Sequence, residues 1–394
     1  MATPSDDVYA CPLNGAVAAG RSLLPDWVPA IGEIVDVSLN TLWDVRSTEA
    51  NAAMQQQVDA WAGASFAKTH GEAGSLIFHT GGHTYFDSNA VYIYDIASRK
   101  WSQERPPAKQ FLDAENYIGD VVTGWMWASA GGIGLQVGEP FAAHTYAWLT
   151  WIPPGVLPGG ANGFLYTPGR GSMSQPGQKG TQQPHKYAIG SKEPWTFGGS
   201  PLSIRPAHSF AFFDELRRRV VYGYGDAISR NLYWVDPSTS AAGTITWPVE
   251  DAGMQPYYHV GFHALADDLY LSVRLTASGL EFNVIDPVAG RRYRPPTLGT
   301  APTGPYPLGD CGVEWVEKWR SMVCFAGTDT VWTLTAPADP RTGAWQWSSQ
   351  PLAGTARQFV TPPFTKFRYI PRLDMFIWPM THNTPVQGFR IFPP

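Results

Sequence analysis

The sequence predicts an all-β chain: a ring of six four-stranded antiparallel units, that is a six-bladed β-propeller, with seven blades as the alternative. Two observations carry this expectation. An alternating apolar stretch that runs into an aspartate-headed turn, and then into a tryptophan or tyrosine, recurs along the chain. Upstream of most copies, two apolar stretches flank a short charged turn, which is the pattern of a hairpin. A small antiparallel sheet cannot bury both of its apolar faces alone, so such units must stack on one another, and closing the ring leaves only short edges exposed.

Taken in order, the elements are as follows. Residues 33–39 form an early strand with no unit of its own, and residues 48–64, with Met54 and Val58 on one side, are the single stretch that suggests a helix. The clearest repeat spans residues 89–101, where the strand leads through Asp95 to Trp101. Residues 231–236 lead similarly to Trp247, and looser copies end at Trp195, Tyr293 and Trp345. The hairpin strands are 207–213 with 220–224, 258–262 with 269–273, 311–315 with 321–325, and 367–369 with 375–378; residues 141–148 resemble the first of these. Blades are therefore expected to begin near Trp61, Phe141, Ala207, Tyr257, Cys311 and Phe364, the last four at a spacing of about 50 residues. The longer early intervals leave loops, or a degenerate extra blade, over residues 106–140. A second insertion, 153–184, is rich in proline and glycine and reads as a long surface loop. The domain organisation expected is an N-terminal arm, 1–32, and one propeller, 33–394. Since no chain remains after residues 389–392 for an outer strand, the early strand is expected to complete the last blade.

Composition fits one large β domain. Hydrophobic residues make up 44% and aromatics 13%, enough for cores between sheets, while 40 glycines and 35 prolines suit many turns. Charged residues are only 15%, which favours a protein partner or a homo-oligomer over a fully solvated surface. The net charge of -5, with basic clusters confined to the turn segments 217–219 and 291–292, argues against nucleic acid. No apolar stretch approaches a membrane span and no secretory signal opens the chain, so synthesis in the cytoplasm is expected, with later incorporation into a virion left open. Cys11, Cys311 and Cys324 form no disulfide framework, and the two late ones read as buried thiols.

Three segments resemble the kelch and galactose-oxidase-like propeller superfamily: residues 78–82 (Phe-His-Thr-Gly-Gly), the Tyr92-x-Tyr94-Asp95 turn closed by Trp101, and Tyr224-Gly225-Asp226. The resemblance spans residues 33–392. Galactose oxidases hold copper with tyrosine and histidine beside a cysteine crosslinked to tyrosine. Here Cys11 precedes the ring, and Cys311 and Cys324 have no matching ligand block, so neither that copper site nor any other cofactor or metal is expected.

Chemistry is sought where the inner strands converge on the central channel. His144 and His208 occupy matching places, Tyr258 takes the next, and Asp310 and Lys366 complete the channel candidates. Imidazoles there would bind a metal or act as acid and base, but a repeated polar residue also ties blades together, and that reading is preferred. His79 and His83 with Asp87, and His259 with His263, have four-residue spacings that would pair ligands on a helix; on strands they read as ordinary structural histidines. The function expected is non-enzymatic binding or structural assembly, in a particle such as a phage virion. The alternative is a carbohydrate-active lyase or hydrolase working at the channel mouth, with tryptophans stacked on sugar rings. Most tryptophans fall at repeat positions, which favours packing between blades.

Overall fold

The computed structural model describes residues 24–46, 62–79, 90–106, 118–120, 125–127, 145–167, 184–193, 195–200, 208–225, 227–276, 279–302, 311–359 and 362–394. Within them the chain is an all-β propeller of six blades. β1 (Ile34–Asp36) and a single helical turn, α1 (Leu42–Val45), precede blade 1, which contains β2 (Ser65–Ala67), β3 (Ser75–His79), β4 (Val91–Asp95) and β5 (Lys100–Arg105). A two-stranded hairpin, β6 (Ile118–Asp120) and β7 (Trp125–Trp127), lies between blades 1 and 2 in sequence. Blade 2 holds β8 (Thr150–Ile152), β9 (Phe164–Thr167), β10 (His185–Ala188) and β11 (Thr196–Phe197). Blade 3 holds β12 (Ala211–Asp214), β13 (Arg219–Tyr222), β14 (Asn231–Val235) and β15 (Ala242–Thr246). Blade 4 holds β16 (Val260–Ala264), β17 (Leu269–Thr276), β18 (Gly279–Asp286) and β19 (Arg291–Tyr293). β20 (Thr297–Leu298) then crosses to blade 5, made of β21 (Gly312–Val316), β22 (Ser321–Phe325), β23 (Thr330–Thr335) and β24 (Trp345–Pro351). Blade 6 holds β25 (Arg368–Ile370), β26 (Met375–Trp378) and β27 (Gln387–Phe389).

The chain closes on itself as the sequence suggests. β1 pairs antiparallel with β27, Ile34 opposite Phe389 and Asp36 opposite Gln387, and so becomes the fourth strand of blade 6. Val35 and Val37 point to one face, into the cluster with Leu42, Trp101 and Ile377, and Ile34 to the other, into the cluster with Val316, Leu352 and Phe389, as alternation along a strand requires. The same segment also reaches blade 1: Leu39 N–H donates to Arg99 O, and the Asn40 side chain both donates to Trp101 O and accepts from Trp101 N–H. One short stretch therefore joins the last blade to the first.

Several expectations change. The inner strand of blade 2 is Thr150–Ile152 rather than 141–148, of which 141–144 lie outside the described residues. The 153–184 insertion is not one loop, because Phe164–Thr167 is the second strand of blade 2. The suggested helix at 48–64 falls on residues outside the description up to 61, and 62–64, which are not helical, lead into β2. The fifth strand of blade 5 was not foreseen: β20 pairs parallel with β24 and covers that outer edge.

Apolar layers run between blades. Ile77 and Ile93 of blade 1 share a buried cluster with Leu149, Trp151, Leu165 and Trp195 of the blade 2 segment. Trp101, Trp195, Trp247 and Trp345 are all at most 3% exposed, so these repeat-position indoles are core, each contributing about 2–3 kcal/mol of burial. The aspartates heading the recurring turns accept backbone N–H bonds two or three residues on: Asp95 from Ser98, Asp236 from Ser238, Asp286 from Val288 and Ala289, and Asp339 from Arg341.

Antiparallel alternation gives the ring two faces. On the hairpin face lie the loops joining first to second and third to fourth strands; on the mouth face the chain enters each inner strand. On the hairpin face, blades 3 to 6 each turn through a four-residue loop whose last residue is left-handed: Arg218, Asp268, Arg320 and Asp374 (φ 48–53°). These loops are tied to their neighbours. Arg217 meets Asp268 (2.6 Å), Arg320 meets Asp267 (2.9 Å), Lys318 meets Asp374 (2.6 Å) and Arg372 meets Glu72 (3.1 Å). Lys68 of blade 1 meets Glu215 of blade 3 (3.1 Å), and Arg218 donates to Gly155 O of blade 2. All six blades join this belt.

Candidate functional site at the mouth of the ring

The chain enters four of the inner strands through left-handed residues that are not glycine: Tyr146 (φ 39°), His208 (45°), Tyr258 (59°) and Phe364 (45°). Such backbone costs on the order of 1 kcal/mol or more for each residue and persists only where its surroundings over-determine it. Tyr146, Tyr258 and Phe364 belong to blades 2, 4 and 6, and their ring centroids lie 5.6, 5.4 and 5.7 Å apart pairwise. Rings from three alternate blades of six can meet one another only at the axis, so these side chains plug the channel. His208 of blade 3 packs edge-on against Tyr146 at 5.1 Å. Blade 1 contributes bare backbone, because a Cβ on Gly63 would sit 1.8 Å from Tyr146 O and 2.6 Å from Thr365 Oγ1.

Hydrogen bonds between blades hold these connections. Tyr258 N–H donates to His208 O (2.6 Å), Ala211 N–H to Ala147 O (2.9 Å), Gly63 N–H to Thr145 Oγ1 (3.0 Å) and Ala64 N–H to Thr365 Oγ1 (3.0 Å). Deeper among the inner strands, Glu314 of β21 pairs with Arg368 of β25 at 2.9 Å, and Arg368 also donates to Ala64 O. Burial pushes the Glu314 carboxyl up and Arg368 acts against it. This ion pair is spent on joining blades 5, 6 and 1.

Around the plug, part of the surface remains accessible. Tyr257, Tyr258, His208 and Arg274 are half-buried. The Tyr257 hydroxyl donates to Tyr258 (3.0 Å), the two rings lie 4.0 Å apart, and the Arg274 guanidinium sits 5.9 and 5.4 Å from their centroids. Behind this platform, His259 is 1% exposed, with Nδ1 2.8 Å from Ser272 Oγ and Nε2 3.0 Å from Glu281 Oε2. Burial holds His259 below the usual histidine range, although Glu281 acts against it. The Ser–His–Glu array has the spacing of a nucleophile relay, but Ser272 is also only 1% exposed and cannot meet a substrate. The platform can stack against a planar or apolar group and hydrogen-bond its edge.

Of the sequence-predicted channel residues, His208 and Tyr258 do come together, 6.1 Å between centroids. His144 and Asp310 lie outside the described residues. Lys366 is buried beside the blade 6 connection, its N–H bonded to Pro363 O. His79 is buried against Trp195 at 4.4 Å, while His83 and Asp87 lie outside the description. His259 and His263 do not share partners: His263 faces Asp214 and Asp268 on the hairpin face, so no pair of ligands forms. Among the described residues, no group of three or more His, Cys, Asp or Glu side chains could hold a metal ion. Cys311 and Cys324 are buried and not joined in a disulfide.

Sequence reasoning missed Tyr146, Tyr257, Phe364 and Arg274. His144-Thr145-Tyr146-Ala147 reads like His208-Ser209-Phe210-Ala211, which invites pairing His144 with His208. In space Ala147 bridges Phe210 and Tyr146 takes the left-handed place, so the likeness in letters is two residues out of register.

No protein-family model matches the chain, and no curated protein does. Among solved structures it is similar to a chain of the mitotic checkpoint complex, at 9% identity over 96% of each chain with a TM-score of 0.42. It is also similar to the Cps50 (Swd1) β-propeller domain of Myceliophteria thermophila, at 9% identity over 85% of this chain and 82% of that one, with a TM-score of 0.39. No family model assigns it to the kelch and galactose-oxidase superfamily, and the aspartate-headed turn and closing tryptophan prove to be turn-capping and packing features of a blade. No helix among the described residues is long and apolar enough to cross a membrane. The resemblance to the kelch and galactose-oxidase superfamily is therefore corrected: what stands is the six-bladed β-propeller architecture, without that family.

Proposed function

We propose that this propeller is a non-enzymatic binding module that docks a protein partner on the mouth face, through Tyr257, Tyr258 and His208. The observation that carries this reading is the pairing of an accessible aromatic platform on strained connections with a sealed polar array behind it. Strain kept at an exposed site points to recognition, and the burial of Ser272 and His259 removes the nearest catalytic groups. The furthest form of the proposal is assembly into a larger particle, a virion being one. Native mass measurement of the purified protein and of any complex it forms is the test. Assembly should be lost in Tyr257→Ala and kept in Lys68→Ala on the opposite face. A monomer that joins nothing would overturn the reading. A polysaccharide panel scored for reducing ends and unsaturated products addresses the enzymatic alternative, and turnover abolished by His208→Ala in a folded protein would replace binding with catalysis.

A further inference from the structure

The residue that follows Tyr258 is a histidine shut inside blade 4. His259 stands immediately before β16 and touches two further strands, reaching Ser272 on β17 and Glu281 on β18. We propose that His259 is a proton-sensitive latch beneath the mouth: neutral, it fixes Tyr258 against blade 4; protonated, it loosens the Tyr257–Tyr258 platform. This rests on the binding reading and names how that site would be regulated.

The chemistry follows from what the two ring nitrogens face. A neutral imidazole donates Nε2–H to the Glu281 carboxylate and accepts the Ser272 hydroxyl at Nδ1. A proton taken up from solvent can only go to Nδ1. The Ser272 hydroxyl must then turn to accept, and its own hydrogen loses its acceptor in a closed space, which carries the cost of an unmade buried bond. The charged groups facing the ring divide. Glu281, from β18, favours the imidazolium, while Arg274 on β17 and Arg292 on β19 oppose it, as does burial. Arg292 is itself fixed by Asn283 on β18 and by the Asp251–Gly253 carbonyls. Glu281 is held below the usual carboxylate range chiefly by its bond to His259.

The mechanical link is short. Tyr258 keeps its left-handed backbone (φ 59°) with its N–H bonded to His208 O, its ring packed on Tyr146 and Phe364, and the next residue fixed between Ser272 and Glu281. Disturbing His259 removes the constraint that comes from blade 4 itself on a strained residue.

The test uses the full chain without any partner, between pH 7.5 and 4.5. The His259 ring is followed by carbon-13 NMR, and the mouth by the tyrosine band in near-ultraviolet circular dichroism. Both should change with one midpoint, below the ordinary histidine value of about 6.5. Ser272→Ala takes the donor from the neutral ring and should raise the midpoint. Glu281→Gln takes the carboxylate from the charged ring and should lower it, each by about tenfold in proton affinity, or one pH unit. Glu281 is half-exposed, so this variant reports the sign even if Ser272→Ala fails to fold. A mouth signal that stays flat while His259 titrates, or midpoints that do not move apart in the variants, would overturn the latch. Either result leaves the binding reading untouched, because that is judged by assembly of Tyr257→Ala at constant pH.

Discussion

The two faces of the ring use the same backbone device for different ends. On the hairpin face a left-handed residue ends each four-residue loop, where loop geometry calls for it, and the neighbouring side chains form ion pairs from blade to blade. On the mouth face the left-handed residues are Tyr146, His208, Tyr258 and Phe364, in connections where no hairpin requires them. Their side chains gather at the axis and leave an aromatic platform open. The hairpin face is self-satisfied and holds the ring; the mouth face retains strain and accessible surface. On the proposed reading, structure is held on one side and recognition on the other.

The most damaging way to break this division is to open the ring that both faces share. Deleting residues 1–40 removes β1 and its links to blades 6 and 1, so a loss of several kcal/mol, roughly 5 °C in Tm, is expected. Deleting residues 1–10 should leave Tm unchanged. Equal midpoints for the two truncations would make β1 an accessory.

Next in size is a substitution at the centre of the charged belt. Asp214 is fully buried and accepts from Arg217, Arg219 and the Tyr270 hydroxyl. Asp214→Ala strands those donors and should cost about 3–5 kcal/mol in denaturant unfolding. Burial opposes ionisation of Asp214, but the Tyr270 hydroxyl, His263 and Arg217 outweigh it and hold the carboxyl below its usual range. With the folded pKa depressed, the stabilisation is present above the unfolded value of about 3.9 and is lost as pH falls through the folded one. The gap between the protein and Asp214→Asn should accordingly narrow below about pH 4; a gap constant down to pH 2 would remove the charge from the account.

Smaller effects sharpen the contrast. Gly63→Ala forces a Cβ against Tyr146 O and should cost about 1–3 kcal/mol while perturbing the tyrosine circular dichroism, a mark of the mouth face alone. Smallest of all, Lys68→Ala removes a pair whose side chains are 41% and 35% exposed. Less than about 1 kcal/mol is expected, vanishing in 1 M salt. A larger, salt-resistant loss would mean that the belt holds the ring more firmly than surface charges do.

The repeat pattern made the ring legible because each blade must present the same alternation to two neighbours; Asp95 with Trp101 and Asp236 with Trp247 are found where the pattern puts them. Closure was legible too, since an unpaired strand at one end and a missing strand at the other left one solution. The mouth was harder. Tyr146 and Phe364 are aromatic residues among many, and only the backbone shows that they enter their blades left-handed. His208 and Tyr258 were singled out as polar channel groups, yet their rings pack among aromatics. Glu314 and Arg368 escaped notice because they pair across two blades, far apart in sequence.

The pairing of Asp36 with Gln387 spans 351 positions, and this sets a schedule for synthesis. At about 5–20 residues per second, a ribosome needs roughly 20–70 s to make the chain between them. Throughout that interval β1 has no partner, and blade 1 lacks the neighbour against which its free face packs. A nascent chain paused before blade 6 would carry both an unpaired strand and an uncovered sheet, which is the form most open to chaperone capture or to exchange with another copy.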